Sequence, residues 1–265
     1  MIPGAGLGAL LLLAAPASPA AAAGGAPAAR IAEIAFAPPV GQPMHYRVTT
    51  RRIGREGSLI DFAITYDLKW ERAGRGYRLD AVLRRIESDA PPAVTRALTM
   101  MLDPLVGADV AYMVAADGNR IDMIDPDRLW ERVLARVEAA GAEGERAQAQ
   151  QLAAMIAALP AADRDQLASA DIRTLLAPAN GEIPAATGAD VSIRQDGAIR
   201  TVAKSARTSM TVGGVERALV IDDLWTIDTA TGLVVRERQQ SWLIDADGGG
   251  RTLVEERIRA LEPGL

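Results

Sequence analysis

The sequence predicts a mostly antiparallel β fold with inserted helices, an α+β chain of about ten strands and one helical block. Three observations carry that reading. Apolar and polar residues alternate strictly from Met44 to Arg84, helical spacing takes over between about 91 and 178, and alternating runs punctuated by Gly-rich turns return from Val191 to Leu261.

The first strand sets Met44, Tyr46, Val48 and Thr50 against His45, Arg47, Thr49 and Arg51. After a turn at Gly54 to Gly57, Ile60, Phe62, Ile64, Tyr66, Leu68 and Trp70 fall on one face and Asp61, Ala63, Thr65, Asp67 and Lys69 on the other. A run of this length fits a period of two, and its β-branched and aromatic content suits a pleated, half-buried surface. Gly74-Arg75-Gly76 turns the chain into a third strand carrying Tyr77, Leu79, Ala81 and Leu83 on its apolar face.

Pro91-Pro92 opens a helical segment with Val94, Leu98, Met101, Leu102 and Leu105 in phase. Asp117-Gly118-Asn119 is a hairpin signal between Ala111–Ala115 and Arg120–Ile124. Asp125-Pro126 caps a helix whose stripe is Leu129, Trp130, Val133, Leu134 and Val137. A second helix spans about Glu143 to Leu159, with Leu152, Met155, Ile156 and Leu159 apolar, and short helices follow from Asp163 to Leu176. The last third predicts strands over Val191–Gln195, Ala198–Val212, Val215–Asp228, Leu233–Asp245 and Arg251–Leu261. Leu219, Ile221, Asp223, Trp225 and Ile227 alternate well, as do Val254, Ile258 and Ala260. The run from Ala198 to Thr211 is polar on both sides and reads as an edge or highly exposed strand.

The chain begins with no charged side chain before Arg30. Its apolar run, Leu7 to Ala23, ends in Pro16-Ala-Ser-Pro-Ala-Ala-Ala-Ala, the layout of a secretory signal with a small-residue cleavage region. A retained membrane anchor is the rival reading, but Pro16 and Pro19 interrupt the run and alanine dominates it, so no stable span is expected after cleavage. The expected organisation is a signal peptide over 1–23, a flexible Ala/Pro/Gly leader over 24–43, and one domain over 44–265 with the helical insertion at about 91–178. The expected location is the periplasm.

Lys and Arg number 29 against 34 Asp and Glu, a net charge of −5 that gives no electrostatic case for nucleic acid. Cysteine is absent and His45 is the single histidine, which leaves thiol chemistry without its sulfur and zinc or copper sites without a ligand set. No nucleophile elbow, phosphate loop or EF-hand spacing occurs, so no catalytic residue, metal or cofactor is expected. Adjacent carboxylates, Asp222-Asp223 and Glu255-Glu256, point to opposite faces of their strands. One of each pair, Asp223 and Glu256, is a candidate to face inward and pair with an arginine such as Arg85.

Long one-side-apolar strands, an intervening helical block and an export signal together resemble the LolA/LolB-like fold. The hairpin Trp225-Thr-Ile-Asp-Thr-Ala-Thr-Gly-Leu-Val-Val-Arg-Glu is similar to the strand–turn–strand unit of such exported β proteins. The resemblance implies a curved half-barrel lidded by helices over an apolar cavity, and a carrier role. Half of the aromatics, Tyr46, Phe62, Tyr66, Trp70 and Tyr77, converge on one predicted face, with Trp130 as a wedge from the helices. These six are the candidate ligand-binding residues, and the plainer reading of them is a core packed by the helices. Met100, Met101, Met113, Met123 and Met155 would make a helical lid adaptable. Two functions stay open: a non-catalytic carrier for an apolar, lipid-like ligand, and an envelope protein with a solid core that docks a protein partner.

Overall fold

The computed structural model describes residues 34–53, 59–92, 95, 99, 102–140, 146–176, 190–212, 215–245 and 249–264. The signal peptide, Val94, Leu98, Met100 and Met101, and the turns at Gly54–Gly57 and Gly213-Gly214 lie outside them.

Among the described residues, ten strands form one open antiparallel sheet. They are β1 (Pro43–Ile53), β2 (Leu59–Ala73), β3 (Gly76–Ser88), β4 (Asp109–Val114), β5 (Ile121–Met123), β6 (Asp190–Asp196), β7 (Ile199–Val212), β8 (Val215–Asp228), β9 (Leu233–Ile244) and β10 (Arg251–Pro263). Their order is β5-β4-β3-β2-β1-β10-β9-β8-β7-β6. Two five-strand meanders therefore meet where the first strand pairs with the last, and the expected α+β half-barrel is the observed one.

Helices α1 (Pro126–Ala140), α2 (Arg146–Ala158) and α3 (Ala161–Arg173) stand between the meanders. The stripe predicted for α1 is its buried face: Leu129, Trp130, Val133 and Val137 pack with Ala108 and with Ile156 of α2. The C-terminal end of α3 and the turn that follows it seal the first meander. Ile172, Leu175 and Leu176 join Tyr46, Val48, Ile64, Leu68, Trp70, Tyr77, Leu79 and Tyr112 in the largest cluster.

Two expectations change. The segment before Met44, expected to be a flexible leader, is packed over its described residues: Ile34 and Phe36 are buried, and Phe36 stacks edge-on against Trp70 and Tyr77 at 5.6 and 5.3 Å. Alternation cannot reveal such a strap, because it joins the sheet through the isolated Val40–Trp70 bridge and not along the length of a strand. The polar run Ala198–Thr211 is not an edge, although it is exposed from Arg207 to Thr211 as the alternative reading had it. It forms most of β7, flanked by β6 and β8, and β6 is the terminal strand.

The Asp228-to-Gly232 turn shows why its residues are needed. Asp228 accepts from the Ala230 amide at 3.0 Å and from Thr231 Oγ1 at 2.8 Å, and Gly232 adopts φ +72°. A Cβ there would lie 2.9 Å from the Ala35 carbonyl oxygen, and the Ala37 amide donates to Thr231 O. The turn thus clamps the strap.

Candidate functional site

Directly paired residues of antiparallel strands share a face, so the register tracks each face across the sheet. Tyr46 marks the inner, helix-covered face, because its hydroxyl donates to Asp171 O of α3 at 2.9 Å and lies 2.8 Å from Thr174 Oγ1. One inner row runs Ile86, Ile64, Val48, Arg259, Glu237, Trp225, Val202, Ile193. The next runs Phe62, Thr50, Arg257, Gln239, Asp223, Lys204, Val191. The inner face is apolar on β1–β4 and carries a charged band on β10 to β7.

Five of the six predicted ligand residues lie on the apolar half. Trp70 is wholly buried, and Tyr77 donates to Phe36 O at 3.3 Å. Tyr46 is buried against α3, while Phe62 and Tyr66 are half-buried at the rim of the same cluster. Tyr112, which the sequence reading did not single out, donates to Ala168 O and fills the same core. Trp130 stands apart from them in the cluster of α1 and α2, its Nε1 donating to Asp165 at 3.0 Å. Burial raises the phenol pKa of Tyr46, Tyr66 and Tyr112, desolvation being the main cause. Phenols in that condition stay neutral and serve as hydrogen-bond donors, not as bases.

At the seam, Arg259 is the central charge. Its Nε and Nη2 donate to Asp171 Oδ1 at 3.2 and 3.1 Å, and its Nη1 lies 2.9 Å from Glu237 Oε2. Side-chain exposure is 6% for Arg259 and 5% for Glu237, so this is a buried ion pair and not a surface one. Desolvation raises the Glu237 carboxyl, with Arg259 opposing. Burial also works against the charge on Arg259, but Glu237 and Asp171 more than offset it and hold the guanidinium above its ordinary range. Asp223, which accepts from Gln239 Nε2 at 2.8 Å, is likewise raised, chiefly by burial.

Asp223 faces inward, whereas Glu256 faces outward to Arg51 and Gln240. Arg85 is exposed and pairs with Glu87, so it is not the inward arginine. Arg259 is, and the alternation of Ile258 and Ala260 had pointed the wrong way. Those two stand opposite Thr49 and Arg47 on the outer face. The single signal available was Leu261, two residues from Arg259 and therefore on its side of the strand.

His45 sits on the outer face with Nδ1 2.9 Å from Asp67, well exposed. Among the described residues, no three metal-ligating side chains converge. A shallow depression of about 330 Å³ lies near Ser192, Ser205, Asp222 and Arg238, away from the aromatic stripe.

No family model and no curated protein matches this chain. Among solved structures, it is similar to a DUF1329 family protein from Desulfovibrio piger, at 9% identity over 83% of this chain and 84% of that one, with a TM-score of 0.20. The side chains therefore carry the functional reading.

Proposed function

We propose that this is an exported, non-catalytic envelope protein that docks a protein partner on the open half of its inner face. The supporting observation is the division of that face. The aromatic half is occupied by α3 and by Phe36 of the strap, whereas on the other half Ile34 of the strap covers Val202, Ile227 and Val234 and no residue of a described helix joins that cluster. There Leu219, Ile221, Gln239 and Ser241 remain half-exposed beside the Asp223–Gln239 pair. Apolar side chains interleaved with charges suit a protein segment, which brings amides and charges of its own, better than an acyl chain, which would strip water from carboxylates. No described helix is long and apolar enough to cross a membrane. The charge-free apolar N-terminus supports export to the periplasm. The likeness of strand pattern to LolA/LolB-like proteins supports an envelope role.

The carrier reading has one observation in its favour: Phe62, Tyr66, Ile86 and Met44 are only partly buried at the rim of the aromatic cluster. Photo-crosslinkers placed at Ile221 and Gln239 in living cells, with Ile258 as the outer-face control, separate the two. Docking predicts a protein adduct from the first two positions alone. A lipid that co-purifies one to one and is lost on Phe62→Ala, with no adduct, would replace docking by carriage. Mature protein should start between Ala20 and Ala29, and an intact Met1 in the membrane fraction would overturn the export reading.

A further inference from the structure

We propose that the chain forms a two-fold dimer in which β6 pairs antiparallel with β6 of a second copy, joining two sheets edge to edge. Among the described residues β6 ends the sheet, and all seven of its residues are exposed. A terminal strand presents unpaired backbone donors and acceptors on its far side, a ready template for another strand. The opposite edge, β5, is only three residues long and so is blunted by its shortness. β6 lacks several of the usual protections: its sequence, Asp-Val-Ser-Ile-Arg-Gln-Asp, has no proline or lysine, it pairs with β7 without a bulge, and its charges are of both signs and so can pair across a two-fold contact. Its apolar residues stand in water, Val191 at 38% and Ile193 at 40% exposure.

The side chains select the register. A two-fold axis normal to the sheet keeps inner faces together, so only residues of like parity can oppose one another. Centred on Ser192, the pairing sets Val191 against Ile193 of the second copy and Asp190 against Arg194, each twice. Centred on Ile193, it would oppose Asp190 to Asp196, and centred on Arg194 it would oppose two arginines. Only the Ser192 register is complementary in both charge and apolarity. Neither Asp190 nor Arg194 has an ion-pair partner among the described residues. The contact is small, so association is weak, with a dissociation constant on the order of micromolar. It leaves the inner face open, and its failure would not touch the docking proposal.

Sedimentation of the full mature chain from about 1 to about 200 µM should show monomer giving way to dimer. Asp190→Arg and Arg194→Asp should each lower the association constant at least tenfold, while melting like the native protein because both sites are exposed. The double variant restores opposite charges in the same register and should dimerise again. Because the chain has no cysteine, Ser192→Cys provides a second test. The two copies of that residue would oppose each other within disulfide reach, and mild oxidation should yield a covalent dimer. A wild-type chain that stays monomeric across the series overturns the proposal. So do single variants that dimerise as the parent does, or a Ser192→Cys chain that fails to cross-link.

Discussion

Arg259→Met tests whether the seam between the two half-sheets is held by charge. The native guanidinium faces Glu237 at 2.9 Å and Asp171 at 3.1 Å with 6% of its side chain exposed. Methionine keeps much of the stem but leaves Glu237, itself almost fully buried, with no counter-charge. Breaking a buried pair from one side costs about 3–5 kcal/mol. Against a total stability of about 5–15 kcal/mol this is a large fraction. At about 2–4 °C per kcal/mol for a domain of this size, it lowers Tm by roughly 6–20 °C. Glu237→Gln together with Arg259→Met removes the two almost fully buried charges, leaves Asp171 with 22% of its side chain exposed to water, and should recover most of the loss. pH supplies an independent check. The folded pKa of Glu237 already lies above its unfolded value, because burial disfavours the anion. The folded state therefore binds the proton more tightly. The stability this contributes is full below the unfolded value, about 4.3, and is lost as pH rises through the folded value. Without Arg259 the folded value rises further, so the defect of Arg259→Met should shrink between pH 7.5 and about 5. Urea unfolding followed by tryptophan fluorescence at both pH values measures all of this. A loss under about 1 kcal/mol at neutral pH would place the pair in effective contact with water. A double variant as unstable as the single one would deny the charge argument altogether.

Gly232→Ala should destabilise by about 2–3 kcal/mol, since it imposes a side chain on a left-handed residue and presses it against the strap at Ala35. Hydrogen exchange at Ala37, whose amide donates to Thr231, should rise with it, and unchanged exchange there would show that the turn does not hold the strap. Native phenolate absorbance should lag behind that of the unfolded chain above about pH 10, because Tyr46, Tyr66 and Tyr112 ionise only at a cost in burial. Their raised folded values mean that stability present below pH 10 is lost above it, so alkaline unfolding should be accompanied by their release. Free titration of all the tyrosines in a folded protein would refute the packed-core assignment.

The sequence by itself determined the elements and most of their faces. From Ile60 to Trp70 one side is apolar at every second position, and a period of two needs nothing but the pleat to place those residues together. The Leu129-to-Val137 stripe defined the buried face of α1 in the same local way. Where a residue's environment is made by a distant strand, the pattern fell silent. Phe36 is core because of Trp70 and Tyr77, and Ile34 because of Val202, Ile227 and Val234, not because of their neighbours in the chain. Arg259 looks like a solvated charge in its own strand, between Ile258 and Ala260. It becomes an interior residue only when β10 is placed between β1 and β9, with Glu237 opposite and Asp171 delivered from 88 residues away. Pairing of the first strand with the last decided that. A buried charge is tolerable only beside its counter-charge, and which residues oppose each other is a property of register that no single strand contains.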